Sequence, residues 1–304
     1  MTPTSPAELT SPILATAVVP WTDRYEFAAE PFIRQVRHLA RHVTRHIYLF
    51  GTAGEGYAVT ERQFDEIAAC FTAVAREEQV TPMLGLISLS LPTIIERIER
   101  GRALGVREFQ LSLPAWGALL DRELDVFFAE TAGRFPDCRF LHYNLMRTKR
   151  LLTSVEYRRL TAAHPNLVAV KTGASDPAAV ADLLTVSPRL RFYFGEFGYP
   201  LARRTHDVGL LISLASINPA LARRYVAGTD ADRADLEPDL RVMLNALLDL
   251  ARDRFHVDGA FDKLIHRVSD PTFPLRLLPP YASADDSDYA RFLAALPARW
   301  RPAG

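Results

Sequence analysis

Of the 36 Lys and Arg residues in this 304-residue chain, only three are lysines: Lys149, Lys171 and Lys263. Lys171 closes the apolar run Leu167-Val168-Ala169-Val170, which puts an amine at the end of a buried strand. A guanidinium stays protonated and is no nucleophile. A desolvated amine gives up its proton more readily and can attack a carbonyl carbon to form an imine. The plain alternative is a strand-end lysine that lays its methylenes on apolar surface and reaches solvent. Tyr143 ends a second apolar segment and brings a phenol suited to general acid–base work, or simply a ring packed in the core. A third feature is Gly51-Thr52-Ala53-Gly54-Glu55-Gly56. It lacks the Gly-Lys-Ser/Thr ending of a phosphate loop, but its glycines let backbone N–H groups turn towards an anion. A helix beginning near Thr60 would add a dipole that favours a carboxylate, and a tight turn capping that helix is the simpler reading.

The elements that must position these groups follow from periodicity. Short β-rich apolar segments recur at residues 13–19, 46–50, 82–86, 108–113, 139–143, 167–171, 191–194 and 209–213, each followed by a stretch of helical periodicity. Strands that read as continuous apolar runs belong to parallel sheets covered on both faces, and eight βα units close into a (β/α)8 TIM barrel. An open doubly wound sheet is the alternative. Residues 218–226, 231–255, 259–268 and a last segment over 286–296 are expected to be helical, which exceeds the need of an eighth unit. The expected organisation is a barrel over residues 1–225 and a C-terminal helical region over 226–304. Active sites in this barrel collect at the C-terminal strand ends, where Lys171, Tyr143 and the Gly51 loop fall. Alternation along the strand puts Leu167, Ala169 and Lys171 on one face, so Lys171 is expected to enter the barrel mouth.

Composition excludes several classes. With 48% hydrophobic and 24% charged residues and a formal net charge of zero, there is no basic excess for nucleic acid. Cys70 and Cys138 form neither a disulfide framework nor a metal-ligand pattern, and no metal or cofactor is expected. Residues 1–14 lack a basic start and an apolar core, and the longest apolar stretch, near residues 208–217, is too short for a membrane span. A cytoplasmic protein is the expectation.

Taken together, the residues resemble the dihydrodipicolinate synthase/N-acetylneuraminate lyase family of Schiff-base class I aldolases. The resemblance runs from Thr16-Ala17-Val18-Val19-Pro20 through Gly51-Thr52-Ala53-Gly54-Glu55, Tyr143-Asn144 and Val170-Lys171 to Ile212-Ser213 and Leu275-Arg276-Leu277-Leu278-Pro279-Pro280. It implies that Lys171 forms the imine with pyruvate or a close 2-oxo acid. It further implies that Tyr143 moves protons, Thr52 hydrogen-bonds that tyrosine, the Thr52–Ala53 backbone holds the carboxylate and Ile212 borders the substrate. The partners implied are a small 2-oxo acid and an aldehyde, in a homotetramer or homodimer.

The departures from the family pattern carry information too. Ala53 stands where the second threonine of Gly-Thr-Thr-Gly-Glu is usual, which removes one hydroxyl. Leu113-Pro114-Ala115-Trp116 replaces the Pro-Tyr-Tyr whose second tyrosine joins the synthases' proton relay, and an indole cannot exchange a proton in that way. The Pro-X-Trp form is similar to hydratase-aldolases that cleave aromatic benzylidenepyruvates. Trp116 is therefore either part of an apolar acceptor site or a packing residue at a subunit contact. Arg147 is a carboxylate partner or a solvated surface residue. Glu196, after the seventh strand, lines the mouth or is a hydrogen-bonded structural carboxylate. Asn218, shifted from the family's asparagine, is placed to cap a helix before Pro219. The chain thus reads as a class I aldolase or lyase. A hydratase or dehydratase of a sugar-derived 2-oxo acid by the same imine is the second reading, and a catalytically silent barrel with a binding role the third.

Overall fold

The structure, a computed structural model, describes residues 12–252, 254–255 and 258–301. The reading of residues 1–14 therefore falls mostly outside the described residues, as does residue 253 of the expected 231–255 helix. Eight parallel strands run in chain order: β1 Ile13–Thr16, β2 His46–Leu49, β3 Thr81–Gly85, β4 Glu108–Leu111, β5 Arg139–Asn144, β6 Leu167–Thr172, β7 Arg191–Phe194 and β8 Gly209–Leu211. They pair sequentially and close, with β1 meeting β8 through Ile13↔Leu210 and Leu14↔Leu211, which makes a (β/α)8 barrel. The intervening helices are α1 Ala29–His38, α2 Glu61–Glu77, α3 Leu91–Ala103, α4 Asp121–Phe128, α5 Ser154–Ala163, α6 Pro177–Leu184, α7 Tyr199–Arg203 and α8 Pro219–Ala227. Three more, α9 Asp230–Ala251, α10 Asp258–Ser269 and α11 Asp286–Ala295, make up the expected C-terminal helices. Among the described residues, no helix is long and apolar enough to cross a membrane.

Two compact units divide the chain: Met83–Leu211 with the residues up to Leu14, and Ala15–Pro82 with the residues from Ile212 onward. In the first unit, β5 and β6 pair through Leu141↔Ala169, His142↔Val170 and Tyr143↔Lys171. The helix-facing side of these strands is identified by contact. His142 Nδ1 lies 2.8 Å from the Tyr157 hydroxyl of α5, and its ring packs edge-on against Phe128 of α4. With a period of two, Tyr143 and Lys171 must face the opposite way, into the barrel. The strands are less uniformly apolar than expected. Glu108, Gln110 and Ser112 are all buried, stabilised because Arg139 Nη2 meets Glu108 Oε1 at 2.5 Å and Gln110 Nε2 donates to Ser112 Oγ at 2.8 Å.

In the second unit, β1 pairs with β2 through Ala15↔Ile47 and Thr16↔Tyr48. Ala17 leaves the strand proper but still donates to the Tyr48 carbonyl at 2.8 Å, so the expected 13–19 strand ends early without losing its buried course. Thr60 caps α2, its side chain accepting from the Gln63 N–H while Gln63 reaches back to the Thr60 N–H. Asn218 caps α8 by accepting from the Leu221 N–H at 3.2 Å, the role its place before Pro219 suggested.

Candidate active site

The end of β6 places Lys171 with 4% exposure, and the paired end of β5 places Tyr143 beside it. Lys171 Nζ lies 3.8 Å from the centroid of the Tyr143 ring, a geometry in which the negative face of the ring attracts an ammonium. The pairing is a product of register: a strand shifted by one residue would have turned one of the two towards the helices. Lys171 is neighboured on its other side by Tyr193 of β7, buried and pushed up to about 12 by desolvation. Two residues beyond Phe194, the last residue of β7, stands Glu196. Its half-buried carboxyl is pushed up to about 7 by desolvation, against the opposing pull of its own backbone N–H and of the positive charge of Lys171. An amine and a phenol therefore meet at paired strand ends, and the Glu196 carboxyl just beyond the next strand feels the charge of that amine. Such a set can form an imine and move protons around it.

The loops after β4 and β5 in the same unit carry the other expected residues. Trp116 is 84% exposed, and its carbonyl accepts from Lys149 Nζ at 3.0 Å. Arg147 is exposed on the turn Met146–Thr148, so the structure joins the Trp116 loop to the Arg147 turn by way of Lys149. Arg150 adds to this tie by donating to the Leu119 carbonyl and, at 2.5 Å, to Asp121 Oδ1.

In the second unit, Thr52 and Ala53 are buried at 5% and 4% exposure, and Ile212 is buried as well. The glycines around them are required by packing. A Cβ at Gly56 would stand 2.1 Å from the Phe50 carbonyl oxygen, and one at Gly54 would stand 2.8 Å from the Phe50 nitrogen. Glu55, held at φ 53°, turns inward and is fully enclosed. Its Oε1 accepts from Trp21 Nε1 at 2.9 Å and from Lys263 Nζ at 2.5 Å, and its Oε2 accepts from the Leu278 N–H at 2.8 Å. Lys263 also donates to the Arg276 carbonyl. Burial draws the Lys263 amine down to about 8, while the charge and hydrogen bond of Glu55 act in the other direction. Glu55 and Lys263 thereby connect the Gly51 loop to the Leu275–Pro280 segment. Sequence reasoning missed this pair; the signal available was that Lys263 is one of only three lysines.

No protein-family model matches the chain. The 4-hydroxy-tetrahydrodipicolinate synthase of Acaryochloris marina is 27% identical over 207 residues, covering 67% of this chain and 69% of that protein. Among solved structures, the dihydrodipicolinate synthase of Cyanidioschyzon merolae superposes with a TM-score of 0.80 and 19% identity over 95% of this chain and 98% of its own. The N-acetylneuraminate lyase of Proteus mirabilis does so with a TM-score of 0.80 and 15% identity over the same shares. The likeness is to the dihydrodipicolinate synthase/N-acetylneuraminate lyase family. At these identities the structural neighbours of that family show the fold, and the sequence relatives carry the likeness beyond it. Among the described residues, no group of three or more His, Cys, Asp or Glu is placed to hold a metal ion.

Proposed function

We propose that the chain is a class I aldolase or lyase that joins pyruvate, or a close 2-oxo acid, to an aldehyde or runs the cleavage, with Lys171 as the imine-forming residue. The observation that carries this reading is the Lys171 amine lying 3.8 Å over the Tyr143 ring at paired strand ends. The neutral amine adds to the C2 carbonyl carbon, and the carbinolamine loses its oxygen as water. The resulting protonated imine withdraws electrons, so C3 either loses a proton to become the nucleophile or releases the aldehyde in the reverse direction. Tyr143 carries protons between substrate oxygen and the imine site. Glu196, titrating near neutrality beside Lys171, lines the same strand ends and supplies or takes up the proton that this cycle displaces. The assignment of the substrate carboxylate to the Thr52–Ala53 backbone, and of a bordering role to Ile212, rests on the sequence likeness alone.

For the acceptor end, the Pro114-Ala115-Trp116 segment favours an apolar or aromatic aldehyde. An indole 84% exposed in the single chain is also suited to burial against a second copy, together with Met146 at 79% and Leu120 at 54% exposure on the neighbouring loops. A screen of pyruvate with aliphatic, sugar and aromatic aldehydes, followed by product mass, tests the function. Condensation with one class, abolished in Lys171→Ala, is the expected result. No turnover with any aldehyde or 2-oxo acid, in either direction, would leave the silent-barrel reading in its place.

A further inference from the structure

The turn that follows β5 carries a backbone outlier. Lys149 sits at φ 61° and ψ 5°, in the left-handed region where a β-carbon is crowded and glycine rests at no steric cost. The surroundings fix this conformation. The Lys149 N–H donates to the Met146 carbonyl at 2.9 Å and the Thr148 N–H to the Leu145 carbonyl at 3.1 Å. The Thr148 hydroxyl lies 2.7 Å from the Leu145 carbonyl and 2.9 Å from that of Arg150. Asn144, the last residue of β5, ties the chain after the turn back to the strand: its Nδ2 donates to the Leu152 carbonyl at 3.0 Å and its Oδ1 accepts from the Leu152 N–H at 2.8 Å. The turn is therefore a rigid extension of the strand that carries Tyr143. A lysine kept where glycine would be unstrained points to a use for its side chain.

What that side chain holds is the Trp116 loop. β4 and β5 pair through Leu111↔His142, so the loop and the turn leave neighbouring strand ends. Among the described residues, residues 114–118 make no backbone–backbone hydrogen bond, and a β-carbon at Gly117 would meet nothing within 4 Å. The indole of Trp116 is 84% exposed, so ring packing does not hold it either. Arg150 anchors the far end of the loop, donating to the Leu119 carbonyl, to Glu156 and, at 2.5 Å, to Asp121 Oδ1. For residues 114–118 themselves, the bond from Lys149 Nζ to the Trp116 carbonyl at 3.0 Å is the one backbone tie among the described residues. Its donor is charged, which strengthens it, but its exposure to water keeps its contribution to folding small. Its effect falls on where the indole stands.

We infer that Lys149 is a positioning residue that sets aldehyde specificity: from the rigid turn after β5 it holds the Trp116 carbonyl and so fixes the indole relative to the strand end that carries Tyr143. The inference rests on the aldolase reading, with Trp116 on the acceptor side. The test compares the full chain with Lys149→Gly, Lys149→Met and Lys149→Arg, using pyruvate with benzaldehyde or acetaldehyde. Glycine suits the left-handed turn and methionine keeps most of the stem; both remove the donor, whereas arginine retains one. In the two donor-less variants the kcat/KM ratio of benzaldehyde to acetaldehyde should fall about fivefold or more, with borohydride trapping of pyruvate at Lys171 unchanged, and Lys149→Arg should restore much of the ratio. The indole supplies a readout independent of turnover. Trp21 and Trp300 are each 1% exposed, so acrylamide-quenchable fluorescence reports Trp116, and its anisotropy should drop in both donor-less variants. Unchanged anisotropy, an unchanged ratio, or an equal loss with the two aldehydes would overturn the role of Lys149 while leaving the aldolase reading intact. Absence of both trapping and turnover in the wild-type chain would overturn that reading, and this proposal with it.

Discussion

Two of the three lysines are buried, and their surroundings make them opposites. Lys263 is fully enclosed, with a carboxylate at 2.5 Å and a backbone carbonyl as its partners. Lys171 is nearly as buried, but it lies over an aromatic ring at a strand end, beside a carboxyl poised near pH 7. Burial draws the Lys263 amine down to about 8, which taken by itself would suggest a nucleophile. Geometry says otherwise, because attack needs an approach path, and an amine with 0% side-chain exposure, tied to Glu55 and the Arg276 carbonyl, has none. The comparison teaches that a depressed amine is a reactive site only where substrate can reach it, and that a buried lysine with a matched carboxylate is a structural clamp.

The largest expected effect breaks the clamp. Lys263→Met leaves the buried Glu55 charge with only the Trp21 and Leu278 N–H groups, which should cost about 3–5 kcal/mol of stability by denaturant unfolding. An unfolding curve close to that of the wild type would show that the enclosed pair is not what holds the Gly51 loop. On the reactive side, Tyr143→Phe removes only the hydroxyl, so imine formation at Lys171 should persist while turnover falls by about 10²-fold or more. Near-normal steady-state turnover would remove Tyr143 from the mechanism.

Smaller effects sharpen the same contrast. If the Trp116 indole borders the acceptor, Trp116→Tyr should lower kcat/KM for bulky aldehydes relative to small ones by about 1–3 kcal/mol, with trapping at Lys171 intact. If it covers a subunit contact, all aldehydes suffer alike and sizing chromatography shows a smaller species. The smallest effect is on pH dependence. Folded Glu196 titrates near 7, whereas an unfolded glutamate does so near about 4.3. Between those values the folded chain holds the extra proton, so this group makes stability fall as pH rises through that window and level off above it. Glu196→Gln should flatten that decline in thermal midpoints taken from pH 5 to pH 8, while an unchanged slope would place the titration elsewhere.

Much of the barrel was legible because parallel strands buried on both faces must be written as apolar runs between turn residues. The strand-end places of Lys171 and Tyr143 followed from the apolar runs they close, the inward turn of Lys171 from side-chain alternation, and the Asn218 cap from its place before Pro219; the direct pairing of Tyr143 with Lys171 came only with the register of the sheet. The charged interior of β4 and β5 was not legible, since Glu108 and Arg139 stand 31 residues apart and only the register of the folded sheet joins them. The same holds for Glu55 and Lys263, 208 residues apart. Trp116 remained open between two roles because a local motif does not state what covers an exposed indole.

The most direct test of the contrast between the two buried lysines is reductive trapping. The chain is incubated with pyruvate and borohydride, digested, and its three lysine-containing regions are compared by peptide mass spectrometry. The account predicts a reduced adduct on Lys171, none on Lys263 or Lys149, and loss of the adduct in Lys171→Arg, whose guanidinium cannot act as a neutral amine. An adduct on Lys263, or an unmodified Lys171 after several 2-oxo acids, would contradict it.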